Sequence, residues 1–346
     1  MKLTLTQSDL NHALRTVSRA IASRPSHPVL AHVLLTAANG ELRLTAYNLD
    51  LGITTAVVAM VDTAGAITIP YRLLADIVGR LDPADVVTLL ADGDAVTIKT
   101  VSGSYKLPGG PSEDYPALPA VEASGAASVA FEAAVMPAAA TDEAKQILNG
   151  IHIRVANGVM TQEATDGHRL SIRSYPTAAP DMDLTIPVRN VQRIDGDVLL
   201  TVDKQQAVMV TADGTTIVSR LIDGAYPNVQ ALIPTGFAHT LTCDRKQLLH
   251  ALERVGCIGD IIKLTAAQQS LTITAETDAS SGAESITTTG TLPTCAFNVA
   301  YMIDGLKTIP GDTVIISANS PTTPVVLTPD AIDGVTYLVM PIQIRA

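Results

Sequence analysis

Ala66–Leu90 reads AITIPYRLLADIVGRLDPADVVTLL, Asp183–Val202 reads DLTIPVRNVQRIDGDVLLTV, and Ala296–Ile316 reads AFNVAYMIDGLKTIPGDTVII. Each is a short apolar strand, a stretch with helical spacing and a second strand. The anchors Ile69, Ile186 and Val299 lie 117 and 113 residues apart. Three units of about 115 residues therefore fill the 346-residue chain. A second element recurs with the same period. Lys2–Ile21 (KLTLTQSDLNHALRTVSRAI) returns at Phe237–Ile258 (FAHTLTCDRKQLLHALERVGCI) and, more weakly, at Ser128–Leu148 (SVAFEAAVMPAAATDEAKQIL).

Each unit thus holds two helix-like stretches and many strands. Pro70 and Pro187 stand where a helix begins, a position that needs no amide donor. Glu41–Val61 (ELRLTAYNLDLGITTAVVAMV) alternates with the period of a half-buried strand. Turns are marked at Asn39-Gly40, Asp92-Gly93, Asn157-Gly158, Asp213-Gly214 and Asp223-Gly224. Boundaries fall near Ala123 and Thr235, after the proline-rich stretches Pro108–Pro119 and Pro227–Pro234. The domains are then 1–123, 124–235 and 236–346.

Hydrophobic residues at 47% and charged residues at 16% exclude a disordered chain. No apolar run approaches the roughly 20 residues of a membrane span, and Met1–Gln7 lacks the apolar core of a signal peptide. These features point to a cytoplasmic chain. Cys243, Cys257 and Cys295 are too few and too scattered for a disulfide framework or a zinc site. His12, His27, His32 and His250 have no metal-ligand spacing, and no phosphate loop, dinucleotide fingerprint or HExxH occurs. Neither metal nor cofactor is expected.

The formal charge of −11 argues at first against nucleic acid. The charge is unevenly placed, however. The six helix-like stretches 7–21, 70–81, 132–148, 187–194, 244–257 and 299–308 together carry +3, so the remainder carries −14. Helices grouped on one side would make a mildly positive face on an acidic body. Tryptophan is absent and aromatics are 3%, so stacking on unpaired bases is not expected.

Six segments, in order, carry a family resemblance: Ala22–Leu35 (ASRPSHPVLAHVLL), Ser104–Pro119 (SYKLPGGPSEDYPALP), Asp142–Ile153 (DEAKQILNGIHI), Ala164–Leu170 (ATDGHRL), Leu221–Pro227 (LIDGAYP) and Tyr337–Ile342 (YLVMPI). With the threefold repeat they resemble the beta sliding clamp family of bacterial DNA polymerase III, the processivity ring of the replisome. The resemblance implies an α+β chain of three repeated DNA-clamp domains, each with two helices and antiparallel sheets, closed head to tail into a dimeric ring. Helices would line the hole and sheets the outside. It implies no catalysis and no cofactor. Its partners are double-stranded DNA held by topology, a second copy of the chain, the polymerase III alpha subunit, the clamp loader, and other polymerases and repair proteins bearing short linear motifs. No membrane partner is implied.

By family position, a client-peptide cleft is expected from Leu148, Thr165, Gly167, His168, Arg169, Leu170, Pro227, Leu232, Asn298, Tyr301, Pro324, Leu338, Met340, Pro341 and Ile342. An apolar slot of this kind takes the Leu and Phe side chains of a short motif, and Met340 adapts to several clients. Pro324, Leu338, Ile342 and the Arg345-Ala346 extension are variations that bear on client preference. Arg24 and Arg72 match positions at the hole. Arg15, Arg19, Arg80, Lys145, Gln146, Arg189 and Arg193 are DNA candidates from helix position. Tyr105 and Leu107, on an edge strand, are expected to face the Cys257/Ile258 region of a partner copy.

Two departures stand out. Pro137 interrupts a first middle-domain helix about two turns shorter than in relatives, and Gly259-Asp260-Ile261 replaces a longer loop after Cys257. They motivate an alternative, a clamp paralogue serving repair or mobile-element replication with altered closure or client choice. A third reading, a hydrolase built on Asp166, His168 and Ser171, lacks the G-x-S-x-G elbow that would present the serine.

Overall fold

In the computed structural model of the chain, residues 1–119 and 126–343 are described. The expected boundary at Ala123 and the Arg345-Ala346 extension lie outside them. The first repeat runs β1 (Lys2–Thr6), α1 (Gln7–Val17), β2 (His32–Ala38), β3 (Glu41–Tyr47), β4 (Leu51–Val58), β5 (Met60–Thr63), β6 (Gly65–Pro70), α2 (Tyr71–Val78), β7 (Val86–Asp92), β8 (Ala95–Lys99) and β9 (Ser104–Pro108). The middle repeat has β10 (Ala127–Ala130), β11 (Gly150–Ala156), β12 (Val159–Thr165), β13 (Arg169–Pro176), β14 (Met182–Pro187), α3 (Val188–Val191), β15 (Asp197–Val202), β16 (Gln206–Thr211) and β17 (Thr216–Arg220). The third has β18 (His239–Asp244), α4 (Arg245–Val255), β19 (Ile261–Ala267), β20 (Ser270–Glu276), β21 (Ser281–Gly290), β22 (Cys295–Asn298), α5 (Val299–Thr308), β23 (Thr313–Ala318), β24 (Val325–Pro329) and β25 (Val335–Val339).

Local chemistry explains the helices that form. Thr6 caps α1 by accepting the Asp9 amide at 3.1 Å, and Asp244 caps α4 by accepting the Gln247 amide at 2.7 Å. Leu10, Ala13, Leu14 and Val17 are buried on α1, and Leu248, Ala251, Leu252 and Val255 on α4. Both sets follow the i, i+3, i+4, i+7 stripe of a helix laid on a sheet. Asn39 and Asn157, each followed by glycine, take positive φ in tight β2–β3 and β11–β12 hairpins.

The middle repeat departs from the expected pair of helices. Residues 132–148 contain no α-helix, only 3₁₀ turns at Met136–Ala138 and Glu143–Asn149, the second broken at Lys145 (φ −106°, ψ 48°). Pro137 supplies no amide and crowds the preceding turn, so an α-helix cannot pass through it. The stretch 187–194 is also shorter than expected. It forms the single turn α3, and the chain reverses at Gly196 with φ +75°.

The sheets run across the repeats. One has five strands in the order β5-β1-β7-β8-β9; a second has eight, β10-β15-β16-β17-β4-β3-β2-β6. The third has twelve, β14-β11-β12-β13-β25-β24-β23-β18-β21-β20-β19-β22. The last strand of the middle repeat, β17, pairs with β4 of the first, and the last strand of the third, β25, pairs with β13 of the middle. The compact units of the fold therefore differ from the sequence repeats. One comprises Met1–Ala130 with Arg193–Leu221, and the other Phe131–Gln192 with Ile222–Ala346.

The same rule leaves two strands over. In the repeat, β9 corresponds to β17 and β25, and the first half of β21 corresponds to the paired halves of β4 and β13. Among the described residues, β9 is an edge strand, and Ser281–Thr287 of β21 pairs only with β20. Of the residues expected at a partner interface, Tyr105 is exposed, but Leu107 is 2% exposed, opposite Val96 in its own core. Leu107 therefore belongs to the fold; what β9 leaves exposed is its backbone edge and Tyr105. Cys257 is exposed, and the half-buried Ile258 lies against Gly282 on the free half of β21. Among the described residues no helix is long and apolar enough to cross a membrane.

One glycine decides how β25 is held. A Cβ at Gly305 of α5 would come within 2.5 Å of the Tyr337 ring, which is fully buried and whose hydroxyl donates to the Tyr301 carbonyl at 3.0 Å. Gly305→Ala should destabilise the chain by about 1–2 kcal/mol, overpacking outweighing the better helix propensity of alanine. It should also speed amide exchange along β25. An unchanged denaturation midpoint with unchanged exchange would contradict this packing.

Candidate functional site

The stretch Thr165–Arg169 makes a tight hydrogen-bonded turn between β12 and β13. Asp166 Oδ1 accepts the His168 and Arg169 amides at 2.8 and 3.0 Å. Thr165 Oγ1 accepts the Gly167 amide at 3.1 Å and donates to the Arg169 carbonyl at 2.6 Å. Gly167 has φ +92°, which a side chain would strain. Asp166 also receives Arg169 Nε at 3.0 Å, and the other end of that guanidinium pairs with Asp304 of α5. The guanidinium carbon lies 4.4 Å from the centre of the Tyr301 ring, which the His168 ring stacks against at 6.3 Å. Burial draws the Arg169 pKa down, but Tyr337, Asp304 and Asp166 outweigh it and leave the group more basic than usual.

The C-terminal strand lies directly alongside. Arg169 pairs with Val339 and Leu170 with Leu338. Past the strand, Met340 N–H donates to the His168 carbonyl at 2.8 Å and Ile342 N–H to the Ala296 carbonyl at 2.7 Å. The tail is thus sewn to both β13 and β22. Leu170 and Leu338 belong to one apolar cluster with Ile172, Val229 and Val326, and Tyr226 and Ile233 pack against it. Above this floor Leu232 (62% exposed) and Met340 (38%) stay open to solvent. An apolar floor with exposed large side chains at its rim suits the docking of an apolar peptide.

The fold brings together many of the residues expected in the cleft. Thr165, Gly167, His168, Arg169 and Leu170 form the turn and first strand residues, and Leu338, Met340, Pro341 and Ile342 form the tail. Tyr301 stands under Arg169 and His168. Asn298 is the N-cap of α5, its Oδ1 accepting the Ala300 amide at 2.9 Å. It sets the helix that carries Tyr301 and Asp304. Pro227 and Leu232 flank Val229 of the apolar floor. Leu148 is half-buried in the 3₁₀ turn before β11, and Pro324 half-buried before β24. Asp304, Tyr337, Val229, Val326, Tyr226 and Ile233 were not expected here. Only the i, i+3 spacing of Tyr301 and Asp304 on a helix could have signalled one of them.

Asp166, His168 and Ser171 do not form a triad. The Asp166 carboxylate is occupied by the turn, and Ser171, fully buried, donates to the Ala134 carbonyl at 3.2 Å. Among the DNA candidates, Arg15, Arg24, Arg72, Arg80, Arg189, Arg193 and Gln146 are exposed and Arg19 is half-buried. Arg80 is paired with Asp76. Lys145 is elsewhere: its ammonium donates to the Asp166 carbonyl at 2.8 Å, at the cleft turn. Among the described residues no group of three or more His, Cys, Asp or Glu side chains gathers as a metal site needs.

Behind the floor lies a buried polar group. The Tyr226 ring stacks on His152 at 4.5 Å. His152 Nδ1 is 3.2 Å from Thr185 Oγ1, and its Nε2 lies 3.9 Å from Glu163 and 3.8 Å from Asp183. Glu163 Oε2 and the Tyr226 hydroxyl are buried without a hydrogen-bond partner. Burial pushes the Glu163 carboxyl up to about 7, against the pull of Arg154. Burial also lowers His152, against the nearby Asp183.

Models of the DNA polymerase III beta subunit match along the chain: the N-terminal domain at residues 1–119, the central domain at 130–228 and the C-terminal domain at 230–343. The beta sliding clamp of Synechococcus elongatus is 39% identical, the match covering 100% of both chains. The sliding clamp (DNA polymerase III subunit beta) of Bartonella birtlesii, solved bound to griselimycin, superposes with a TM-score of 0.92 at 27% identity. That match covers 99% of this chain and 100% of the other. The DNA polymerase sliding clamp of Bacillus subtilis shares the fold, with a TM-score of 0.93 at 23% identity over 100% of both chains.

The buried group sets a pH dependence. A carboxyl raised from 4.5 to about 7 stabilises the fold fully below its unfolded pKa, and that stability is lost as pH rises through 7. The lowered His152 works the other way, stability being lost as pH falls through and below 6.5. Glu163→Gln should isolate the first effect. Its stability relative to the native chain should increase from pH 5 to pH 8, by at most about 3 kcal/mol. Denaturant titrations across that range measure it, and a difference independent of pH would contradict the assignment.

Proposed function

Because the chain belongs to the DNA polymerase III beta-subunit family, we propose that it closes head to tail with a second copy around duplex DNA and holds its clients in the slot beside Thr165–Leu170. It functions as a DNA sliding clamp, a non-catalytic processivity subunit. Synthesis belongs to the partner it tethers. The clients are the polymerase III alpha subunit, the clamp loader, and other polymerases and repair proteins with short linear motifs, and the compartment is the cytoplasm. The domain limits proposed are 1–123, 124–235 and 236–346.

The carrying observation is the strand pairing. Inside the chain, β17 adds to β4 and β25 adds to β13. The third pairing of the series, β9 on the first half of β21, is the one not made within the chain, and each strand keeps an unpaired edge. Supplied by two copies, it is a heterologous contact that generates a closed ring. It also covers both free edges.

A ring accounts for the charge. Tight phosphate neutralisation would arrest sliding, and a chain of −11 does not provide it. Scattered exposed arginines on α1, α2 and α3 suffice to position a duplex that topology retains. Unloaded protein should therefore bind linear duplex weakly at physiological salt. Loaded on a nicked circle, it should survive moderate salt and be lost when the circle is cut. Retention that does not change on linearisation would refute the ring.

A further inference from the structure

Residues 222–233 form a strap over one face of β11 to β14, and the strap carries Pro227, Val229 and Leu232 of the slot. It is held at both ends. Ile222 N–H donates to the Thr185 carbonyl at 2.9 Å, and Tyr226 and Ile233 pack against the cluster of Leu170, Ile172 and Leu338. The strand register sets His152, Glu163 and Ile172 side by side on the face beneath. Glu163 is 6% exposed, and its Oε2 has no hydrogen-bond partner. The groups facing it are His152 and Arg154 from β11, Asp183 from β14, and Tyr226 and Gln230 from the strap; β13 offers only Ile172. His152 Nε2, at 3.9 Å, is too far to donate to it. The Tyr226 ring stacks on His152, and its buried hydroxyl is also unpartnered. Arg154 is drawn towards the strap, its Nη2 3.5 Å from Gln230 Oε1.

The first repeat builds the same frame without the acid. Asn48 Oδ1 accepts the Asp50 and Leu51 amides at 3.1 and 2.8 Å, as Asp166 Oδ1 accepts those of His168 and Arg169. Counting back from the two turns puts Thr45 at the position of Glu163, and the register puts Leu34 at that of His152. Thr45 Oγ1 is satisfied by Thr54 Oγ1 at 3.1 Å. Tyr115, which precedes Pro116 as Tyr226 precedes Pro227, accepts the Tyr47 amide at 2.8 Å and donates to the His32 carbonyl at 3.3 Å. The frame therefore does not require a buried carboxyl. One stands only where the strap borders the slot.

We infer that Glu163 is a proton switch beneath the client slot: neutral, it lets the strap lie on the sheet, and ionised, it loosens the strap and weakens client binding. The inference rests on the reading of this slot as the client site. A buried carboxylate without its hydrogen bonds is costly, and lifting the strap would return it to water. Burial and the Asp183 charge keep the carboxyl neutral up to about 7, although Arg154 and Gln230 favour the ion. Once exposed, it returns towards the ordinary carboxylate range, so ionisation favours the lifted strap. A client that needs the strap closed must then take up a proton as it binds above pH 7. His152, lowered by burial, is neutral there and supplies no compensating cation. Glu163 is thus a positioning residue, acting on clients through Pro227, Val229 and Leu232.

The test is titration calorimetry of the full chain with an acetylated, amidated Gln-Leu-Ser-Leu-Phe peptide, which has no titrating group. It is run from pH 6 to pH 8.5 in buffers of different ionisation heat. Affinity should be level below about pH 6.5 and fall about tenfold by pH 8.5, with uptake approaching one proton near pH 8. Glu163→Gln should hold the low-pH affinity across the range and take up no proton. Glu163→Thr, the residue of the first repeat, should do the same and guards against misfolding of the first variant. A level affinity in the native chain overturns the switch. So does a fall that persists in both variants, which would place the titrating group elsewhere, His168 at the rim first. Absence of binding at every pH overturns the slot reading itself, and the switch with it.

Discussion

The pairing of β13 with β25 holds the site together. Leu170 and Leu338 lie opposite each other in a hydrogen-bonded ladder, and both sink into the same apolar cluster. Burying two leucines this way stabilises the contact by a few kcal/mol, about 2 for each side chain. The ladder also fixes backbone positions, which burial alone would not. Once Arg169 stands against Val339, its guanidinium is placed over Tyr301 and between Asp166 and Asp304. Met340 is then delivered to the His168 carbonyl and Ile342 to β22. The slot is a by-product of a strand joining two repeats.

The same geometric rule governs assembly. A strand that ends one repeat completes the sheet of the repeat before it, twice within the chain. Among the described residues, β9 and the leading half of β21 are left without such a partner. Edge strands left this way invite pairing with another chain. In the proposed ring, retention by closure relieves the arginine-bearing helices of having to bind DNA tightly. The acidic body and the sparse cations cease to be a contradiction.

The sequence declared some of this and hid the rest for physical reasons. The stripes of α1 and α4 were plain, because helical periodicity is local and Thr6 and Asp244 mark the starts. The middle stretch misled: its alanines favour a helix, but Pro137 prevents one, and steric exclusion outweighs propensity. Strand partners were invisible, since β4 choosing β17 is a contact between residues 160 positions apart, such as Thr55 and Thr215. The turn at Thr165–Arg169 and the tail at Met340 were found through resemblance. Asp304 was missed because its role exists only once α5 has docked beside β13. Leu107 read as an interface residue on an edge strand, yet its position opposite Val96 places it inside.

The central claim is that the strand and tail after Tyr337 form one wall of the client slot. Deleting Met340–Ala346 leaves the Leu170–Leu338 pair in place but removes the hydrogen bonds to His168 and Ala296. Titration calorimetry with a Gln-Leu-x-Leu-Phe peptide tests the claim most directly. A linear motif of micromolar affinity binds with about 8 kcal/mol, so losing a wall should reduce the signal below detection while the denaturation midpoint and the dimer mass stay near their native values. Equal affinity before and after truncation would contradict the account and place the clients elsewhere on the chain.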